Sequence, residues 1–370
     1  MIREMKAQRA ILAAVRFPHI SDDDFENSLA ELKELSSTAG FMVVGTVTQN
    51  RSEPDVSCYI GKGKLDETRA EFESKADVII FNHELSPSQI RNVERATNLR
   101  ALTRTEIILD IFVIHAKTRA SKLQVEMASL SYQMPRIIGK GVEMSRIEGG
   151  IGMKGPGEQQ LELDRRKIRT RIAAIRKELK HVSSERENQR KRRRSGDRKV
   201  AIVGYTNSGK STLLNRLTKE KVMTENKLFV TLDTTTRKFW LGGREYATVT
   251  DTVGFIRDIP HGLIESFQST FEDALMSDLL LHVVDISARD FEEKRRVAED
   301  ALRDMEPHAI PTVLVFNKID CVPDEEIRRV KGLYPDALFI SAREKTGVEE
   351  LREKVRTLIS KEIVQTVAEE

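Results

Sequence analysis

Gly204-Tyr205-Thr206-Asn207-Ser208-Gly209-Lys210-Ser211 has residue types and spacing suited to wrapping a polyphosphate. Glycines allow a turn whose backbone N–H groups converge on phosphate oxygens at a helix N-terminus, where the dipole adds positive potential. In this pattern the Lys210 ammonium reaches the β- and γ-phosphates, and the Ser211 hydroxyl ligates Mg2+. Further along, Asp251-Thr252-Val253-Gly254 supplies a carboxylate for the Mg2+ shell and, at Gly254, a backbone N–H that senses a γ-phosphate. In Asn317-Lys318-Ile319-Asp320, the Asp320 carboxylate can accept from both N1–H and the 2-amino group of guanine. Adenine does not offer that pair, and a site built around it rejects the wrong base because a polar group is left unpaired. Ser341-Ala342-Arg343 then offers a backbone N–H to the base O6. Four motifs in this order imply a domain that binds and hydrolyses GTP.

Two details bear on the chemistry. A threonine is needed to complete the Mg2+ shell when a γ-phosphate is present. Thr231, Thr235 and Thr236 compete for that role within Leu228–Arg237. After Gly254 comes Phe255, where Ras-like enzymes keep a water-orienting glutamine. An apolar side chain cannot orient water, so slow intrinsic turnover is expected. Asn207 offers a side-chain carbonyl beside the α- and β-phosphates, where K+ could stand in for an arginine finger.

Each of these segments needs an element to hold it. Apolar runs at Arg198–Val203, Tyr246–Thr250, Thr312–Phe316 and Ala337–Ile340 read as strands ahead of the four motifs, and Ser211–Leu217 opens a helix. That is a Ras-like α/β domain with a mostly parallel sheet, residues 196–370, closed by a helix over Val348–Ile363. Residues 1–117 alternate in the same way. Strands are expected at Ala10–Phe17, Phe41–Val47 and Asp77–Phe81. One helix carries Phe25, Leu29, Leu32 and Leu35 behind a Ser21 cap, and another starts at Ser86-Pro87. Between the two α/β domains, residues 118–195 change texture. Leu123, Met127, Leu130 and Met134 form one heptad stripe, and Ile168, Ile172, Ile175, Leu179 and Val182 form another. An antiparallel helical hairpin buries both stripes. Its connection, residues 139–157, is a glycine-rich loop holding Lys140, Arg146 and Lys154. Gly150–Gly155 spells GxGxxG, but the strand that a dinucleotide site requires is missing. A basic tip on a helical arm suits insertion into folded RNA better.

Charge follows the same division. The 370 residues carry a net charge of only +3, yet Arg136 to Lys199 holds twenty Lys and Arg against nine Asp and Glu. A segment this biased points to a polyanion. Charged residues make up 32% of the chain, aromatics 5%, and the mean hydropathy is −0.40. The runs Ile107–Ile114 and Leu279–Val284 fall short of the roughly 20 apolar residues of a membrane span. The charged N-terminus does not read as a signal peptide, and Cys58 and Cys321 form no CxxC, so a cytoplasmic protein without a disulfide framework or zinc site is expected. Nothing demands a dimer.

Across almost its whole length the chain resembles one family, the HflX ribosome-associated GTPases. The first domain contributes Tyr59-Ile-Gly61-Lys-Gly63-Lys64 and Glu84-Leu-Ser86-Pro87-Ser-Gln89. The arm contributes Asp110-Ile-Phe112, Lys122–Glu126, Gly149–Gly152, Gly155–Glu158, Leu161-Glu162 and Asp164–Arg166. Phe229-Val230-Thr231-Leu232-Asp233 resembles the family's switch I, which favours Thr231 over Thr235 and Thr236 as the Mg2+ ligand. The resemblance implies a Mg2+-dependent GTPase that binds the large ribosomal subunit and its rRNA, and that in some members splits stalled ribosomes. It also implies a family-specific N-terminal α/β domain and a hairpin whose tip approaches rRNA. Some members are reported to use ATP through the N-terminal region, but Gly61-Lys-Gly63-Lys64 by itself reads as a turn rather than a second phosphate cradle. Thr234 stands where the family commonly has proline, and the extra C-terminal domain of longer members is not expected. The basic arm would equally serve a nucleotide-gated protein that binds other structured RNA.

Overall fold

The computed structural model describes residues 7–148, 156–192, 198–218, 228–229, 232, 235–243, 245–258, 274–305 and 310–369. They fall into two units, Met1–His181 and Val182–Glu370.

The first unit is built on four parallel strands, β1 (Arg9–Arg16), β2 (Met42–Asn50), β3 (Val78–Phe81) and β4 (Arg100–Thr103), in the order β2-β1-β3-β4. Central β1 is buried throughout Ala10–Val15, as a strand covered on both faces must be. Four helices connect and cover the strands: α1 (Asp22–Thr38), α2 (Lys62–Phe72), α3 (Pro87–Thr97) and α4 (Arg104–His115). Ser21 caps α1 by accepting from the Asp24 N–H, and Ser86 with Gln89 forms a reciprocal capping box on α3, both where the sequence places them. Gly61-Lys-Gly63-Lys64 is not a free turn. Gly61 is the N-cap of α2, with its N–H held by Gln49 at 2.8 Å. The apolar run after Thr103 is α4, started by a Thr103–Glu106 capping box.

From there α5 (Arg119–Glu148) and α6 (Pro156–Arg192) run antiparallel. Arg119 pairs with Glu178, and Arg171 with Glu126 at 2.7 Å, so one heptad forward on one helix meets one heptad back on the other. Leu123, Ile172 and Ile175 are buried along the stripes. The structure corrects the extent of the glycine-rich loop. Helix α5 continues through Gly139 and Gly141 to Glu148, because single glycines cost a helix only about 1 kcal/mol each and the intervening residues are ordinary helix formers. Residues 149–155, with the whole of the GxGxxG segment, lie outside the described residues.

Among the described residues the second unit has six strands: β5 (Arg198–Val203), β6 (Thr235–Gly242), β7 (Glu245–Asp251), β8 (Leu279–Asp285), β9 (Thr312–Asn317) and β10 (Leu338–Phe339). Their order is β10-β9-β8-β5-β7-β6, parallel except for β6, which runs antiparallel to β7. Its described helices are α7 (Lys210–Thr218), α8 (Phe291–Met305), α9 (Asp324–Leu333) and α10 (Val348–Glu369). Chain order reverses on either side of β5, so the loop after β5 opens at the switch point of the sheet, where open α/β sheets bind ligands. This is the mixed α/β architecture expected. Among the described residues no helix is long and apolar enough to cross a membrane.

Candidate functional site

The loop from Gly204 to Gly209 leaves β5 and runs into α7, whose first residue is Lys210. Lys210 is 6% exposed, and its ammonium donates to the Tyr205 carbonyl at 2.8 Å. Burial pushes this group down to about 8, against the pull of Asp251 and with the help of Lys318. A buried ammonium that strained gains from an anion of matching charge. The Thr206 and Ser208 hydroxyls are also buried, and among the described residues neither oxygen has a hydrogen-bond partner. The loop therefore suits a polyphosphate. Ser211 donates to the Asp251 carboxylate at 2.6 Å, which brings together one hydroxyl and one carboxylate from β7's end. Two hard oxygen donors at that separation fit Mg2+. Asn207 holds a positive φ of 59°, which Asn tolerates better than most residues.

Gly254 lies against the loop. A Cβ there would stand 2.7 Å from Thr206 Cα and 2.9 Å from the Lys210 ammonium, so no larger residue fits. Phe255 is buried and extends the strand logic: Thr206 N–H donates to the Phe255 carbonyl at 2.7 Å, and Phe255 N–H to the Gly204 carbonyl at 3.1 Å. Val253 and Thr252 are buried behind it, the Thr252 hydroxyl bound to the Ile202 carbonyl at 2.9 Å.

The segments around Asn317 and Ala342 join the same loop through one side chain. Asn317 donates to the Ser208 carbonyl at 2.9 Å and accepts from the Ala342 N–H at 3.0 Å. Gly209 answers it, since a Cβ there would sit 2.2 Å from the Asn317 amide nitrogen. Lys318, in a left-handed conformation, reaches Asp285 at 2.6 Å. Ile319 packs beside Phe316 and Phe339, and Asp320 sits in the short turn Ile319–Cys321. A hydrogen bond from Ser341 holds the Asp320 carboxyl below the usual range, so it is an ionised acceptor at neutral pH. Ala342 is buried, whereas the Arg343 side chain is exposed.

Of the switch I residues, Phe229 and Leu232 are buried. Val230, Thr231, Asp233 and Thr234 lie outside the described residues. Thr235 and Thr236 open β6, and the Thr236 hydroxyl meets that of Thr250 at 2.9 Å, so these alternatives are strand residues. Sequence reasoning missed two arginines. Arg216 of α7 donates to the Ala342 and Arg343 carbonyls at 2.8 and 2.9 Å. Arg257 pairs with Asp290 at 2.8 Å. Carbonyl partners leave no trace in side-chain pattern, and Arg257 finds its partner beyond reach of any local motif.

Comparison with known proteins places this geometry among relatives. Residues 26–113 match the model of the GTP-binding GTPase N-terminal region, 115–193 that of the GTP-binding GTPase middle region, and 199–318 that of a 50S ribosome-binding GTPase. The chain is 45% identical over 360 residues to GTPase HflX of Caldanaerobacter subterraneus, covering 96% of this chain and 81% of that one. It is 39% identical to GTPase HflX of Escherichia coli over 362 residues, covering 97% and 84%. Among solved structures, SsGBP in complex with GDP superposes with a TM-score of 0.53 at 25% identity, covering 96% of this chain and 99% of that one.

Proposed function

The chain belongs to the HflX family of GTPases, and from that membership we propose that it is a Mg2+-dependent switch on the large ribosomal subunit, bound with GTP and released on hydrolysis. Splitting or rescue of stalled ribosomes is the work we assign to that cycle. The observation that carries the reading is Asn317, one side chain joining the phosphate-wrapping loop to the base-reading loop, inside a segment matching a 50S ribosome-binding GTPase.

In this reading Lys210 and the loop N–H groups of Gly204–Ser211 hold the triphosphate. Asp320 and a backbone N–H of the Ser341-Ala342-Arg343 segment read guanine. Ser211, Asp251 and Thr231 would hold Mg2+, which when bound would supply positive charge to offset that of the triphosphate. The Gly254 N–H meets the γ-phosphate, and Phe229, Val230, Thr231, Leu232 and Asp233 are the switch I residues assigned to the nucleotide. Phe255 cannot orient the attacking water, so intrinsic turnover is slow and the ribosome supplies what is missing. Asn207 would hold K+, which when bound would supply positive charge beside the α- and β-phosphates. The protein works as a cytoplasmic monomer, with a family N-terminal domain (1–117), an rRNA-facing arm (118–195) and the GTPase domain (196–370).

The test is GTP turnover with and without purified large subunits, in KCl and in NaCl. The expected result is stimulation of about tenfold or more that free RNA does not reproduce, and faster turnover in KCl. Equal rates in the two salts remove the K+ assignment. No stimulation, with tight binding to another RNA, favours a nucleotide-gated protein for other structured RNA, which the basic arm would also serve.

A further inference from the structure

The chain that follows the Asp-x-x-Gly motif does not run straight out to solvent: Phe255, Ile256 and Arg257 are all buried. The Arg257 side chain is 9% exposed and bridges two carboxylates of the α8 region, Asp290 at 2.8 Å and Glu293 at 3.1 Å. Asp290 is itself shared with Lys294 at 2.9 Å. The Lys294 ammonium stands 5.5 Å over the ring of Tyr205 in the phosphate loop, and the Tyr205 hydroxyl accepts from the Arg257 N–H at 2.8 Å. These interactions close a ring: phosphate loop, the chain after Gly254, the start of α8, and back to the phosphate loop.

We propose that Arg257 is a positioning residue for hydrolysis, clamping the chain after Gly254 to Asp290 and Glu293 so that the Gly254 N–H stands where the γ-phosphate must be met. This rests on the GTP-hydrolysis reading of the same site. The physical argument starts from Phe255. With no side chain to orient water, the site depends on how firmly its backbone donor is placed, and displacement by about 1 Å can cost two orders of magnitude in rate. Gly254 has no slack towards Thr206 and Lys210. The remaining freedom of its chain lies on the Arg257 side, and a buried, doubly paired guanidinium removes it. Truncating one partner of such a pair leaves the other charges buried without compensation.

The experiment measures single-turnover GTP hydrolysis and GDP affinity for Arg257→Ala, Arg257→Lys and Asp290→Asn, each checked for folding by circular dichroism. Expected are a fall in kcat of about ten- to a hundredfold for Arg257→Ala, a smaller fall for Asp290→Asn, and partial recovery in Arg257→Lys, which reaches one carboxylate. GDP affinity should stay within about twofold, because GDP lacks the phosphate that Gly254 meets. Unchanged kcat in the alanine and asparagine variants, or GDP affinity falling in step with kcat, overturns the proposal. If Arg257→Ala does not fold, Asp290→Asn decides alone, being isosteric. A parent protein that neither binds GDP nor hydrolyses GTP removes the underlying reading instead, and the two failures are told apart.

Discussion

His282 sits in the middle of β8, 2% exposed, with its Nδ1 3.9 Å from Glu299. An acid at that distance normally raises a histidine, yet this one is pushed down to about 4. Burial is the largest cause, with Arg295 and Lys210 adding to it. Glu299 is already paired with Arg295, so little of its charge is left for the imidazole. His282 is therefore neutral when folded, while in the unfolded chain it titrates near 6.5. The unfolded state gains the proton first, so stability is unaffected above that value and is lost progressively as pH falls towards 4. The full loss is on the order of 3 kcal/mol. Urea midpoints between pH 4 and 7 should show this slope, and His282→Leu should flatten it. A slope unchanged in the variant would assign acid sensitivity to the carboxylates instead.

At the scale of elements, Arg216 ties helix α7 to the Ala342–Arg343 loop that we assign to the base. Its guanidinium chelates two successive carbonyls, so Arg216→Ala frees Ala342 on one side while Asn317 still holds it on the other. The expected outcome is a loss of affinity for GTP and GDP alike of about three- to tenfold, measured by fluorescent-nucleotide titration, from hydrogen bonds worth about 1 kcal/mol each. Loss confined to GTP would place the defect at the γ-phosphate instead. Such a tie is invisible in sequence, whereas other elements are not. Strands β5 and β9, and the caps at Ser21 and Ser86, are legible because their signals are local: an apolar run before a loop, a hydroxyl three residues before its N–H. Strand β6 is hidden because Thr235–Gly242 mixes threonine, arginine and lysine with its aromatics, and only pairing with β7 makes it a strand. Helix α4 is hidden because Ile107–Ile114, broken only by Asp110, is apolar without a helical stripe, although Thr103 and Glu106 spell its start. Arg257 and Asp290 meet only through tertiary packing, which no spacing announces.

For the whole molecule, charge is sorted by region. Twenty of its sixty-one Lys and Arg lie between Arg136 and Lys199, and Arg166, Lys167, Arg169 and Lys177 are exposed along α6. Replacing Arg166, Lys167 and Arg169 by glutamine should weaken RNA or ribosome association and make its salt dependence shallower, by up to about 0.7–0.9 in the log–log slope for each phosphate no longer neutralised. Intrinsic GTP turnover should not change. An unaltered salt slope would show that this face does not meet phosphate. The paired helices of the arm carry one more consequence. Arg119–Glu178 and Glu126–Arg171 repeat after seven residues on each helix, so the hairpin is graduated like a ruler. Removing a matched heptad from both helices would keep every stripe facing its partner while drawing the tip back by about 10 Å, at roughly 1.5 Å per residue. How deeply the tip can reach is thus a number of heptads, adjustable in evolution without touching the nucleotide site.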